Sequence, residues 1–366
     1  VSSLPADAID RLRLARTHRV GPVSYRQLVA RFGSATAAIA ALPDLVRRSG
    51  GRAAKVADPV DIEAEVERVQ RLGGEYLFVD SDSYPHQLGE LQNAPIALIV
   101  RGDTKLLKKP AIAMVGARNS SAASCRFARQ IAAELGQSGH VIVSGLARGI
   151  DTAAHEGAME HGTIGVIASG LDIAFPPENK ALQDEMGERH LVVTEYPPGT
   201  EPLARQFPHR NRIIAGMALG TVVVEAAPRS GSLLTARMAT ESGREVMAVP
   251  GHPLDPRAQG CNQLIREGAT LVQSASDIIE AVSHIDPRAA NRFNAPPAEL
   301  FETGGADPDD SARSLLVGLL GPVAVSVDEL VRQAELPAPV VQMVLLELEL
   351  AERLQRHAAG RVSLIS

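Results

Sequence analysis

Three turns rich in glycine, serine and arginine hold the residue types that can do chemistry. The first runs Met114-Val115-Gly116-Ala117-Arg118-Asn119-Ser120-Ser121. Gly116 admits close backbone approach, Arg118 offers a planar fork of donors, and free amides open the helix that follows. The second, Ser144-Gly145-Leu146-Ala147-Arg148-Gly149-Ile150-Asp151, sets two glycines and Arg148 before a helix that Asp151 or Thr152 can cap. The third is Glu225 followed by Ser230-Gly231-Ser232-Leu233-Leu234-Thr235, whose hydroxyls and amides suit an anion. Between them, Phe207-Pro208-His209-Arg210-Asn211-Arg212 adds two arginines, an amide and an aromatic ring. Residues 169–180 add Phe175, which can stack on a planar group, and Lys180, which can meet a phosphate as a point charge. One such turn is ordinary loop chemistry; several in one block predict a phosphate-binding surface.

Missing motifs narrow the ligand. No G-x-x-x-x-G-K-[ST] occurs, and no G-x-G-x-x-G follows a strand, so neither an ATPase phosphate loop nor a dinucleotide cofactor is expected. No H-E-x-x-H, C-x-x-C or tight carboxylate cluster suggests a metal. His155 and His209 lie near the turns, where capping or surface roles are expected of them. Phosphate recognition without an evident catalytic group points to a binder. The enzyme alternative is a nucleotide phosphoribohydrolase of the lysine-decarboxylase-like group with Glu225 as its acid, but the P-G-G-x-G-T signature of that group is absent.

The elements that must position these turns follow from periodicity. From about 75 to 285, apolar runs at 112–115, 141–144, 163–168, 191–194, 221–225 and 245–249 read as strands buried on both faces. They alternate with helical stretches, which predicts a doubly wound, mainly parallel sheet with its ligand beyond the carboxyl ends of the strands. Residues 1–72 are helical: Ile9, Leu12 and Leu14, then Tyr25, Leu28, Val29 and Phe32, flank a turn at Val20-Gly21-Pro22 that resembles a helix-hairpin-helix. Residues 286–310, dotted with proline and glycine, read as a linker. Helices at 311–320, 327–334 and 339–354 and a hairpin at 356–365 turning at Gly360 resemble a winged helix.

Composition sets outer limits. The 366 residues call for two or three domains, and 45% hydrophobic with 22% charged residues is ordinary for a globular chain. The net charge of −6 disfavours coating a polyanion, but residues 305–366 hold nine Asp/Glu against five Lys/Arg, so a local basic groove elsewhere is compatible. With no Trp, four Tyr and seven Phe, an extended stacking platform is not expected, which leaves Arg, Lys and amides as the main source of affinity. Cys125 and Cys261 are expected to be buried free thiols in a reducing cytoplasm. No leader pattern opens the chain, and the longest uncharged apolar run, from Ile213 to Val224, falls short of the roughly 20 residues that span a bilayer, so secretion and membrane insertion are not expected.

Eight segments occur in the order shown by the DNA-processing protein A (DprA/Smf) family. They are Tyr84-Pro85-His86-Gln87-Leu88, Val115-Gly116-Ala117-Arg118, the turn from Ser144 to Asp151 with His155, Phe175-Pro176-Pro177-Glu178-Asn179, Glu195-Tyr196-Pro197, the run from Phe207 to Gly216, the run from Ser230 to Ala236, and Val249-Pro250-Gly251. The chain resembles that family over roughly 75 to 275. The resemblance implies an extended Rossmann-like domain that binds single-stranded DNA, forms a homodimer, protects incoming strands in natural transformation and helps load the RecA recombinase, with no enzymatic activity. It also implies a sterile-alpha-motif-like helical domain in front and a winged helix behind. Gly116 and Arg118 match the family's Gly-Ser/Thr-Arg motif, with Ala117 replacing the hydroxyl residue. Phe175 matches the position that stacks on a base, and Lys180 lies close to a basic position of the DNA pocket. The would-be recognition helix contains no Lys or Arg but does contain Glu347 and Glu349, so it is expected to contact protein and not a DNA groove.

Overall fold

The computed structural model describes residues 4, 7–48, 50, 55–285, 308–357 and 360–365. The chain divides into two compact units, one formed by 3–64 together with 296–366 and the other by 65–295. The stretch read as a linker falls outside the described residues from 286 to 307.

The 65–295 unit is built on a nine-stranded sheet: β1 (Glu75–Phe78), β2 (Ala97–Gly102), β3 (Ala111–Val115), β4 (Val141–Ser144), β5 (Thr163–Val166), β6 (Leu191–Thr194), β7 (Gly220–Val223), β8 (Glu245–Ala248) and β9 (Thr270–Leu271). Their order is β1-β2-β6-β5-β4-β3-β7-β8-β9. The seven strands from β6 to β9 run parallel, and β2 and β1 add an antiparallel edge. Successive residues of the central strands serve opposite faces. Ala111, Ala113 and Val115 join one core with the Gln206–Met217 and Gly231–Glu241 helices, while Ile112 and Met114 join a second core with the Ala122–Gln137, Ile150–Ala158 and Ala275–Val282 helices. That double burial explains why these strands read as unbroken apolar runs. Winding proceeds one way from β3 through β4, β5 and β6, then restarts at β7 on the other side of β3. The switch point therefore lies between the carboxyl ends of β3 and β7, where open α/β sheets bind ligands.

In the other unit, helices Ala8–Arg16, Pro22–Phe32 and Ala35–Arg48 pack through Leu12, Leu14, Leu28 and Leu42, all fully buried. Pro22 starts the second of them and Gly33, in the left-handed region, ends it. The C-terminal part has helices Asp310–Leu319, Val327–Ala334 and Ala338–Leu350 over a sheet of β10 (Val325–Ser326), β12 (Arg361–Leu364) and β11 (Leu354–His357), in that order. The third helix stops four residues short of the expected Leu354. Glu352 takes a left-handed φ of 60°, which turns Leu354 into the core as the first residue of β11.

Glu347 and Glu349 do not stand on the Ala338–Leu350 helix as free negative charges. Glu347 is fully buried and accepts two bonds from Arg313, at 2.8 and 3.0 Å, while Glu349 pairs with Arg356 at 2.9 Å. Their charges are balanced inside the unit, and the helix that carries them is buried along most of its length from Val344 to Leu350, with contacts to the Ala35–Arg48 helix.

Candidate nucleic-acid interface

The first two turns lock into one another at the switch point. Gly149 adopts φ 76° and ψ −119°, and a Cβ there would lie 2.3 Å from the Ala117 carbonyl oxygen. Gly116 packs as tightly, since a Cβ would meet Ile150 Cγ1 at 2.5 Å. The Ile150 amide donates to the Ala117 carbonyl at 3.3 Å. Asn179 Nδ2 donates to the Leu146 carbonyl and to Thr152 Oγ1, tying the segment after β5 to the same cluster.

The structure corrects the picture of free backbone amides. The Glu225 carboxylate sits at the start of the Ala122–Gln137 helix, where it accepts from the Ser121 amide (3.0 Å) and from the Ser121 and Ser124 hydroxyls (2.8 and 2.7 Å). The Ala117 amide donates to the Glu225 carbonyl at 2.7 Å. In the second turn, Asp151 Oδ2 accepts from the Gly145 and Ala147 amides at 3.2 and 3.4 Å. Both carboxylates are buried, at 5% and 6% exposure. Buried backbone N–H groups must be satisfied, and internal carboxylates do so in both turns. Neither Asp151 nor Thr152 caps the Ile150–Ala158 helix as expected: both lie inside it, Asp151 accepts from amides of the preceding turn, and Thr152 Oγ1 donates to the Ala147 carbonyl. With its oxygens held by hydroxyls and an amide, Glu225 does not stand as an open acid for the phosphoribohydrolase reading.

The basic residues fall into separate environments. Arg118 is exposed, has no carboxylate partner among the described residues, and holds its guanidinium 5.1 Å from the ring centroid of Phe207. Phe207 also meets Phe175, with centroids 5.5 Å apart, and Phe175 is 41% exposed. Arg210 is buried beneath Gly145, where any Cβ would collide with its guanidinium. Burial lowers its pKa to about 10 against the pull of Asp151, so it remains a cation that supplies field without surface contact. Burial likewise raises the Asp151 carboxyl, and Arg210 opposes that rise. Arg212 faces inward, bound to both Glu195 oxygens (2.8 and 2.6 Å) and to the Asn93 carbonyl (2.7 Å). Arg148 and Lys180 are exposed and pair with Glu178 and Asp184, contacts weak enough to yield to another anion.

The remaining predicted site residues divide by burial. Ser144 is fully buried and donates to the Met114 carbonyl, and Ser232 and Thr235 are buried at 7% and 2%, so none of the three presents a hydroxyl to solvent. Strand-end and first-turn positions face the core, which is why they are covered. Gly231 is exposed, with open space where a Cβ would go, and Ser230 caps its helix through the Ser232 amide. Asn211 is half-buried. Phe207, absent from the predicted contact set, is the residue on which Arg118 and Phe175 converge; an aromatic one turn ahead of Arg210 and Arg212 was its only mark in the sequence. His155 is neither a cap nor a surface residue but fully buried, and Cys125 is half-buried while Cys261 is buried. No group of three or more metal-ligating side chains occurs among the described residues.

Fold and site define a Rossmann-like α/β protein with a cation and two phenylalanines at its switch point, joined to helix-hairpin-helix and winged-helix modules. The chain belongs to the DNA recombination-mediator protein A family, DprA/Smf, which matches residues 75–283. The DprA-like N-terminal HHH domain matches 5–67 and the DprA winged helix domain 297–360. DNA processing protein DprA of Streptococcus pneumoniae is 49% identical over 200 residues, covering 54% of this chain and 71% of that protein. Protein Smf of Escherichia coli is 39% identical over 294 residues, 78% of this chain and 76% of that one. The X-ray structure of the Streptococcus pneumoniae protein matches with a TM-score of 0.66 at 38% identity, covering 76% of this chain and 98% of that chain. DNA processing protein A of Helicobacter pylori, whose structure concerns its single-stranded DNA binding mode, matches with a TM-score of 0.52 at 28% identity, covering 58% of this chain and 97% of that chain.

Proposed function

We propose that this chain binds single-stranded DNA at the β3–β7 switch point and acts as a binder, not an enzyme. The observation that carries this reading is the exposed Arg118 guanidinium stacked on Phe207 beside the exposed Phe175 ring. A guanidinium grips a phosphate with paired donors, and an adjacent ring stacks on a base whatever its identity, so the pair suits an unpaired strand of any sequence. Arg148, Lys180 and the Ser230-Gly231 turn extend the track for further phosphates, and the buried Arg210 raises the local positive potential. In a duplex the bases are already stacked and would leave Phe175 without a partner.

The role extends, in our reading, to protecting incoming strands during natural transformation and handing them to RecA, with a homodimer formed through the Rossmann-like domain and the protein residing in the cytoplasm. The DNA-processing names of the relatives and the recombination-mediator family support the process. No single described helix is long and apolar enough to cross a membrane.

Filter binding of oligothymidine across a salt series tests the DNA reading. With a handful of phosphates engaged, log K should fall against log salt with a slope of roughly −0.7 per contact, and duplex of equal length should bind more weakly. A flat salt dependence, or equal affinity for duplex, overturns it.

A further inference from the structure

The turn that follows β7 carries a cation that the contacts described so far leave unused. After Glu225 and Ala226 the chain runs Ala227-Pro228-Arg229-Ser230, and the Ser230 amide donates to the Ala227 carbonyl at 3.0 Å. Proline holds the second position of this turn, and Arg229, at the third, takes a left-handed φ of 68°. That is the pattern of a type II turn, whose third position favours Gly or Asn because other side chains are strained there. An arginine thus stands where the turn calls for glycine.

Its charge also runs against local preference. Arg229 is exposed, and its guanidinium has neither a carboxylate nor a hydrogen-bond partner among the described residues. Ser230 caps the Gly231–Glu241 helix, so the arginine stands just ahead of a helix start, the end at which the backbone dipole favours an anion and disfavours a cation. Glu225, four residues back, does not answer it, because that carboxylate is buried and engaged with Ser121 and Ser124. An anion bound at the turn satisfies the charge, and left-handed residues of this kind cluster at ligand sites.

The base of the turn is held from both sides. The Ala117 amide donates to the Glu225 carbonyl at 2.7 Å and the Val224 amide to the Val115 carbonyl at 3.0 Å, which binds the segment after β7 to the turn that carries Arg118. From the other side the Gly260 amide donates to the Ala226 carbonyl at 2.8 Å, and a Cβ on Gly260 would lie 2.5 Å from that oxygen. Arg118 and Arg229 therefore stand on adjoining, mutually bonded turns at the carboxyl ends of β3 and β7. Resting on the single-stranded DNA reading above, we propose that Arg229 is a second phosphate fork, and that a bound strand crosses the seam between β3 and β7 with one phosphate on Arg118 and another on Arg229.

The test is anisotropy titration of the full chain with labelled oligothymidine across a salt series. Arg229→Gly suits the left-handed backbone, so it should keep the wild-type melting temperature while weakening binding at least fivefold and lowering the salt slope by roughly 0.7, the share of one phosphate. Arg118→Ala should lower the slope by the same amount, and the double variant by about twice as much. Arg229→Lys retains the charge without the fork, so it should hold the slope near the wild-type value and lose only part of the affinity. Should Arg229→Gly fold poorly, Arg229→Asn provides the same comparison. Wild-type affinity and slope in Arg229→Gly, or a slope in Arg229→Lys as low as that of Arg229→Gly, overturns the role of Arg229 and leaves the DNA reading in place. Binding by the wild-type chain that ignores salt overturns both.

Discussion

Arg118 and Arg212 are arginines of one region with opposite work. Arg118 is exposed, stacked on Phe207 and without a carboxylate partner among the described residues, whereas Arg212 is 12% exposed at its side chain and clamped to Glu195. Arg118→Ala should therefore weaken oligothymidine binding by about 1–3 kcal/mol for every sequence and leave the melting temperature nearly unchanged. Arg212→Ala should lower stability by about 1–3 kcal/mol, because Glu195 and the Asn93 carbonyl lose their donor, with a smaller effect on DNA. Binding titrations and urea melts on the two variants check the contrast; identical profiles would contradict it. A third residue makes a pH prediction. Thr163 Oγ1 donates to the Ile142 carbonyl at 3.0 Å, so it accepts from His155 Nδ1 at 2.7 Å and leaves the proton on that nitrogen. Burial holds the His155 pKa down to about 3, with Arg210 adding to the effect. The unfolded chain takes this proton near pH 6.5 and the folded chain only near 3, so His155 removes stability as pH falls through that window. The limiting slope is about 1.4 kcal/mol per pH unit. In His155→Asn, whose amide can replace the Nδ1 donor, that slope should vanish, so the stability gap to the wild type should narrow between pH 7 and 4.5. Parallel curves in urea unfolding would contradict the assignment.

At the scale of elements, the two glycine turns form one locked unit, and Gly149 is its pin. Its φ of 76° with ψ of −119° belongs to a region that side chains rarely enter, and a Cβ would strike the Ala117 carbonyl. Gly149→Ala should cost about 1–3 kcal/mol from backbone strain alone and displace the turn that carries Arg118. Thermal unfolding should show the loss, and DNA affinity should fall with it; an unchanged melt would mean the turn is looser than the geometry implies. The central strands were legible in the sequence because burial on both faces leaves unbroken apolar runs, and all six starts and four of the six ends agree within a residue. β1 and β2 were not, since an antiparallel edge gives short, mixed runs such as Glu75–Phe78 without flanking helices of βαβ spacing. The turns were legible as phosphate chemistry, but their internal closure was not. Glu225 reaches Ser121 and Ser124 across about a hundred residues of chain, and pairing at that distance leaves no local pattern. Asp151 reads in the sequence as a helix cap, but it lies inside the Ile150–Ala158 helix and closes the preceding turn instead, through the Gly145 and Ala147 amides. Phe207 became visible as the centre of the cluster only when the switch point brought the loop after β3 to the start of the Gln206–Met217 helix.

For the whole molecule, a net charge of −6 and the proposed single-stranded DNA site are reconciled by where the charges sit. Acidic residues concentrate after residue 305, Glu225 and Asp151 close their turns from within, and Arg118 is left facing solvent above the buried Arg210. In the winged helix, the third helix is buried along most of Val344 to Leu350 and its glutamates are paired. These features support the proposed DNA contact at the carboxyl ends of β3 and β7 in the 65–295 unit. The most direct test is a crystal structure of the chain with hexathymidine. The account predicts a phosphate oxygen at about 3 Å from the Arg118 guanidinium and a thymine ring against Phe175, with Glu225 and Asp151 still holding their amides. A strand lying elsewhere, with Arg118 and Phe175 untouched, would contradict it.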